Sequence, residues 1–106
     1  MMEKINLDKT TIKTIIKLIV RYKKPEKILI FGSRATNNSR STSDIDIAIF
    51  GRDWTDKDIN ITRHNLNEFV KSPLKFDVLN FYQITKEKLK ENILKSGRII
   101  YELGKN

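Results

Sequence analysis

The sequence predicts an α/β (α+β) fold: a small mixed β-sheet of three to four strands flanked by helices. Three observations predict it. Short apolar runs at 26–31, 44–50 and 75–81 alternate with segments whose apolar residues recur at helical spacing. The segment joining the second and third runs is long enough for a helical crossover, which makes those two strands parallel through a right-handed connection. The link between the first and second runs is polar and turn-rich, which suits an antiparallel pair. A length of 106 residues is enough for one core, so 1–106 is read as a single domain.

Each element follows from its residues. In 8–24, Ile12, Ile15, Ile16 and Ile19 share one helical face, while Lys13, Lys17, Arg21 and Lys24 fall on another. Asp8 is a candidate cap, and Pro25 stops the pattern. "EKILIF" (26–31) is short and apolar, as in a strand buried on both faces, and it ends at Gly32. Residues 33–43 are polar, with a short helical turn possible after Gly32 and a loop beyond it. "DIDIAIF" (44–50) alternates, sending Ile45, Ile47 and Ile49 one way and Asp44, Asp46 and Ala48 the other.

A turn at 51–58 precedes a helix over 59–72, with Ile61, Leu66, Phe69 and Val70 inward and Pro73 past its end. Asn60 is one candidate N-cap and Thr55 an earlier alternative. "KFDVLNF" (75–81) is the third strand. Residues 85–97 form another helix, with Leu89, Ile93 and Leu94 apolar and Gly97 at the end. "RIIYEL" (98–103) reads either as a fourth strand or as packed coil.

Composition narrows the chemistry. Cysteine is absent, which excludes disulfides and thiolate metal sites. A single histidine, His64, leaves little room for a histidine-based zinc site. No apolar run reaches the ~18 residues of a membrane span, and no signal-peptide core is visible, so the expected location is the cytoplasm without membrane attachment. The net charge of +8 favours anionic partners such as a nucleotide, a nucleic acid or an acidic protein. Lysine-rich solvated helix faces explain it equally well. No phosphate-binding G-x4-G-K-[ST] loop occurs.

The acids carry the functional signal. Desolvating an unpaired carboxylate in a strand costs several kcal/mol, so something must offset it. Asp44 and Asp46 point to one side, ~6.6 Å apart along the strand. Asp77 opens the neighbouring parallel strand, so three carboxylates converge on one rim of the sheet. Hard oxygen ligands select Mg²⁺ or Mn²⁺. Two ions ~3.5–4 Å apart are a known arrangement for in-line displacement at phosphorus. Gly32 permits a sharp turn and close approach to a ligand, and Ser33 offers a hydroxyl and an N–H to phosphate. Alone, "GS" marks a turn, "DxD" a solvated edge and Asp77 an exposed strand residue. Together, in this order on these strands, they point to metal-assisted phosphoryl chemistry.

Gly32-Ser33, ten residues, then Asp44-x-Asp46 resembles the GS-x10-DxD signature of the DNA polymerase β-like nucleotidyltransferase superfamily. "FGSRA", "SDIDIAIF", "SPLKFDVLNF" and "ILKSGRIIYE" are similar to its minimal nucleotidyltransferases, the MNT proteins, and the resemblance runs from about residue 25 to 103. It implies that Asp44 and Asp46 bind catalytic Mg²⁺, two ions with Mn²⁺ as a substitute. It implies that Asp77 is the third acid, ligating metal and helping to activate the acceptor hydroxyl. Gly32 and Ser33 would hold the triphosphate of ATP. Arg34 stands where this subgroup often carries a basic residue near phosphate, with an ordinary surface arginine as the alternative. The loop "ATNNSRSTS" lacks the usual glycine, a departure from the pattern.

The resemblance also implies a partner, a small helical HEPN-type protein. In one branch it is an RNase toxin that the nucleotidyltransferase, as antitoxin, silences by adding AMP to a tyrosine. In another it is a substrate-binding subunit, and the acceptor is a small molecule. A non-enzymatic antitoxin acting by occlusion is a third reading, which the intact acid set argues against. Nucleic acid as acceptor rests only on the basic charge. The chain is not itself the toxin: HEPN RNases carry Arg-x4–6-His, and Lys57, Asp58 and Ile59 occupy the positions where that arginine would precede His64.

Overall fold

The computed structural model describes residues 7–32, 44–70 and 75–104. Helix α1 (Lys9–Tyr22) leads into strand β1 (Lys27–Phe31). Strand β2 (Ile45–Phe50), helix α2 (Asp56–Phe69) and strand β3 (Phe76–Asn80) follow. A 3₁₀ turn (Phe81–Gln83), helix α3 (Glu87–Ser96) and strand β4 (Arg98–Glu102) complete the described chain. The strands form one sheet in the order β3-β2-β1-β4. β1 is antiparallel to β2 and β4, and β2 is parallel to β3. The undecided tail at 98–103 is therefore a fourth strand.

The isoleucine alternation decides which face is which. Ile45, Ile47 and Ile49 are fully buried beneath α1 and α2, together with Ile15, Ile19, Ile59, Leu66 and Val78. Ala48, Phe50 and Leu29 lie on the opposite face, under Ile93 of α3 and Phe81. The sheet is thus covered on both sides, but α3 is short and covers only part of its own.

Several local details differ from the sequence reading. α2 starts five residues before the Asn60 cap would place it, because Thr55, the alternative cap, is the N-cap. The Thr55 side chain accepts from Asp58 N at 3.2 Å and Asp58 returns a bond to Thr55 N at 2.9 Å, a reciprocal capping box. Asp58 also accepts from Tyr22 Oη at 2.5 Å and pairs with Lys23 at 3.0 Å, tying the end of α1 to the start of α2. The Tyr22 hydroxyl bond, the Thr55 backbone bond and Lys23 hold its carboxyl well below the usual range.

β2 begins at Ile45, so Asp44 lies just outside it. Phe69, expected inward, is 61% exposed, and Leu94 on the apolar stripe of α3 is 62% exposed. Both lie on apolar helix stripes, but at helix positions the sheet does not reach. The Pro73 stop and the helical turn after Gly32 fall outside the described residues. Trp54, assigned to a turn, is buried in the core. It packs so closely on Gly51 that a Cβ there would come within 2.2 Å of the indole. Among the described residues no helix is long and apolar enough to cross a membrane.

Asn80 fixes the end of β3. Its side chain is buried, donates to the carbonyls of Gly51 (2.8 Å) and Trp54 (3.3 Å), and accepts from Tyr82 N at 3.2 Å. Truncation leaves buried backbone groups unpaired, each costing ~1–3 kcal/mol. Asn80→Ala is expected to lower stability by about 2–3 kcal/mol in urea unfolding, with unchanged m-value. A loss within experimental error of zero would mean that water replaces the amide.

Candidate functional site

Three strand ends meet at one rim of the sheet: the end of β1 and the starts of β2 and β3. Asp46 is the central residue. Its register partner on β1 is Phe31 and its partner on β3 is Asp77. Adjacent strands lie ~4.8 Å apart and register partners share a face, so the two carboxylates stand side by side on the α3 side of the sheet. Asp44, exposed, lies just before the start of β2.

Gly32 closes the rim. Its φ is +76°, a left-handed conformation that favours glycine. A Cβ at this position would stand 2.7 Å from Asp46 Oδ2. Glycine is therefore required twice, by backbone and by space, and the backbone comes directly against the carboxylate. Beside it a cleft of about 210 Å³ opens between the end of β1 and α3, lined by Phe31, Gly32, Asn92 and Ser96. Larger hollows lie elsewhere, at the β3 edge beside Arg63 and between α1 and α2 near Phe69. Neither contains the acids, so charge rather than hollow size marks the site.

Electrostatics confirm the crowding. Burial, then the charges of Asp77 and Asp44, push the Asp46 carboxyl above its ordinary value. Arg63 of α2 reaches around the β3 edge and brings its Nε to 3.5 Å from Asp77 Oδ1. Among the described residues no group of three carboxylate, imidazole or thiol side chains is gathered closely enough to hold a metal ion as it stands. The acids are neighbours rather than a closed cage. As a donor set they suit a hard divalent cation: oxygen ligands only, and one half-buried carboxylate whose negative charge is poorly compensated.

Of the six residues singled out in the sequence, the fold brings Gly32, Asp44, Asp46 and Asp77 to one rim. Ser33 and Arg34 lie outside the described residues. Sequence reasoning missed Arg63 and Asn67. These side chains on α2 occupy the exposed edge of β3: Asn67 bonds both Phe76 N (2.7 Å) and Phe76 O (3.1 Å), and Arg63 donates to Val78 O at 2.6 Å. Their i, i+4 spacing on a helix beside an edge strand was the available signal.

Residues 13–106 match the family described as "Polymerase beta, Nucleotidyltransferase". The chain belongs to this nucleotidyltransferase family. Comparison with the curated proteins finds no match. Among solved structures, it is similar to a chain of a toxin–antitoxin crystallised with AMP-PNP, at 26% identity and a TM-score of 0.70, over 88% of this chain and 74% of that one. A chain of the MntA–HepT toxin–antitoxin shares the fold at 21% identity and a TM-score of 0.70, over 90% and 73%. So does a chain of the complex between a tri-AMPylated Shewanella oneidensis HEPN toxin and its MNT antitoxin, at 20% identity and a TM-score of 0.71, over 91% and 73%.

The raised Asp46 carboxyl has a consequence for stability. A carboxyl raised by folding contributes stability that is fully present below its unfolded pKa and lost as pH rises through its folded value. Asp46→Asn removes the ionisation. Without divalent ions, the variant is expected to melt above the wild type at neutral pH. The difference should vanish as pH falls through the carboxylate range. A variant that melts lower at neutral pH would mean that the carboxylate is stabilised by a partner instead.

Proposed function

We propose that this chain is a Mg²⁺-dependent nucleotidyltransferase that moves AMP from ATP to a tyrosine hydroxyl of a HEPN-type partner protein, and so acts as an antitoxin. One observation carries the reading: Asp46 and Asp77 stand in register on neighbouring parallel strands, with Asp44 beside them and the Gly32 backbone against the central carboxylate. The 26%-identical toxin–antitoxin with AMP-PNP supports ATP as the nucleotide, and the tri-AMPylated HEPN toxin supports a protein acceptor.

Each residue then has a role. Gly32 brings backbone close to the triphosphate, and Ser33 and Arg34 are assigned to its phosphates by the family pattern. Asp44, Asp46 and Asp77 would hold the divalent ions, which when bound neutralise the phosphate charge and polarise the phosphoryl oxygens. The phenolic oxygen forms a bond to the α-phosphorus while the bond to the β-phosphate oxygen breaks, and pyrophosphate leaves. Asp77, exposed at the rim, faces the side from which an acceptor arrives and helps draw off the phenolic proton. A phenol, with a pKa of ~10, gives up that proton more readily than an aliphatic alcohol. The partner supplies the acceptor hydroxyl.

The test mixes the purified chain, Mg-ATP and the small helical protein encoded by the adjacent reading frame, then weighs both proteins intact. The expected result is one or more adenylyl units on the partner, absent with Asp44→Asn. If the partner's mass is unchanged while Asp44→Asn still neutralises it, occlusion is the mechanism. If a small molecule gains the nucleotide instead, the partner is a substrate-binding subunit.

A further inference from the structure

Asp77 sits at the second position of an edge strand, and its side chain is 69% exposed. Nothing in its own strand restrains the carboxylate, and Asp46 beside it repels it. The opposing charge comes from Arg63, on the helix packed against the other face of the sheet. The Arg63 guanidinium is itself fixed. Its two terminal nitrogens donate to Asn60 Oδ1 at 2.7 Å and to Val78 O at 2.6 Å. The remaining donor, Nε, is buried, has no hydrogen-bond partner and stands 3.5 Å from Asp77 Oδ1. A planar fork tied at two corners holds its third nitrogen in one place, and this one stands beside the third acid.

We propose that Arg63 is a positioning residue for Asp77. It restrains the carboxylate at the rim and offsets the repulsion from Asp46. Asn60 and the Val78 carbonyl act as the mount that orients the guanidinium. The proposal rests on the reading of Asp77 as part of the transfer site, and it deepens that reading by extending the site around the β3 edge to α2. It also explains why an arginine suits the position. A lysine could keep the charge but not hold two anchors and address a third group at a set angle.

The direct test is the side-chain rotamer of Asp77, measured by three-bond NMR couplings on the full chain without divalent ions. One staggered rotamer is expected in the wild type and averaged couplings in Arg63→Met. Asn60→Ala removes one anchor from an exposed position, and partial averaging is expected there. This second variant keeps the test available if Arg63→Met does not fold. Couplings identical in wild type and variants would overturn the proposal.

The functional arm uses the partner and Mg-ATP under single turnover. Arg63→Met is expected to transfer about tenfold to a hundredfold more slowly. Affinity for Mg-ATP should stay within about threefold of wild type, a split that mere loss of edge cover would not produce. In an Asp77→Asn background with enzyme in excess, adding Arg63→Met should slow transfer no further. Wild-type transfer by Arg63→Met alongside a dead Asp77→Asn would sink this proposal and leave the function intact. Wild-type transfer by Asp77→Asn would instead remove Asp77 from the site and take the proposal with it.

Discussion

The site depends on one constraint: two carboxylates in register on adjacent parallel strands, at the rim where β1 ends and β2 and β3 begin. Such an arrangement is unfavourable on its own, because burial and like charge both disfavour ionisation. Here the disfavoured charge is Asp46, raised first by burial and then by Asp77 and Asp44. A fold keeps this arrangement only when something outside the apolar core compensates it. Under the proposed function the compensating charge comes from divalent cations, and at Asp77 the ion pair with Arg63 supplies part of it.

The scaffold makes the constraint tolerable by separating tasks between the two faces. The α1–α2 face carries most of the apolar burial: Ile45, Ile47 and Ile49 are fully buried there. The same strand can then carry Asp46 on its other side without losing its place in the sheet. α3 packs on that other face through Ile93 and borders the rim through Asn92 and Ser96. α2 also uses Asn67 and Arg63 to satisfy backbone groups on the β3 edge, which removes a template for unwanted strand pairing. The last of these contacts reaches the acids, so edge protection and site geometry share a residue.

Much of this was legible in the sequence because it rests on period and order. The Ile alternation set the faces of β2, the crossover length set the parallel pairing with β3, and together they brought Asp77 beside Asp46. Features that depend on tertiary contacts were not legible. Apolar periodicity gave the stripe on α2 but not how far the sheet extends beneath it, so Phe69 was placed inside. Trp54 looked like part of a turn because its burial depends on Gly51, which makes room for the indole. Arg63 carried only its i, i+4 spacing with Asn67 as a signal, since Val78 lies fifteen residues downstream and only the fold brings the two together. The tail at 98–103 stayed open because pairing with β1 is a long-range event.

The central claim is that the rim formed by Gly32, Asp44, Asp46 and Asp77 is where the metal–nucleotide binds. Amide chemical-shift mapping of the full chain during titration with Mg-AMP-PNP tests it most directly. The account requires the largest shifts at Gly32, Asp44–Asp46 and Asp77, lost when Mg²⁺ is withheld. Shifts centred on the groove between α1 and α2 or on the cleft lined by Asn60, Asn80 and Gln83, with the rim unmoved, would contradict it.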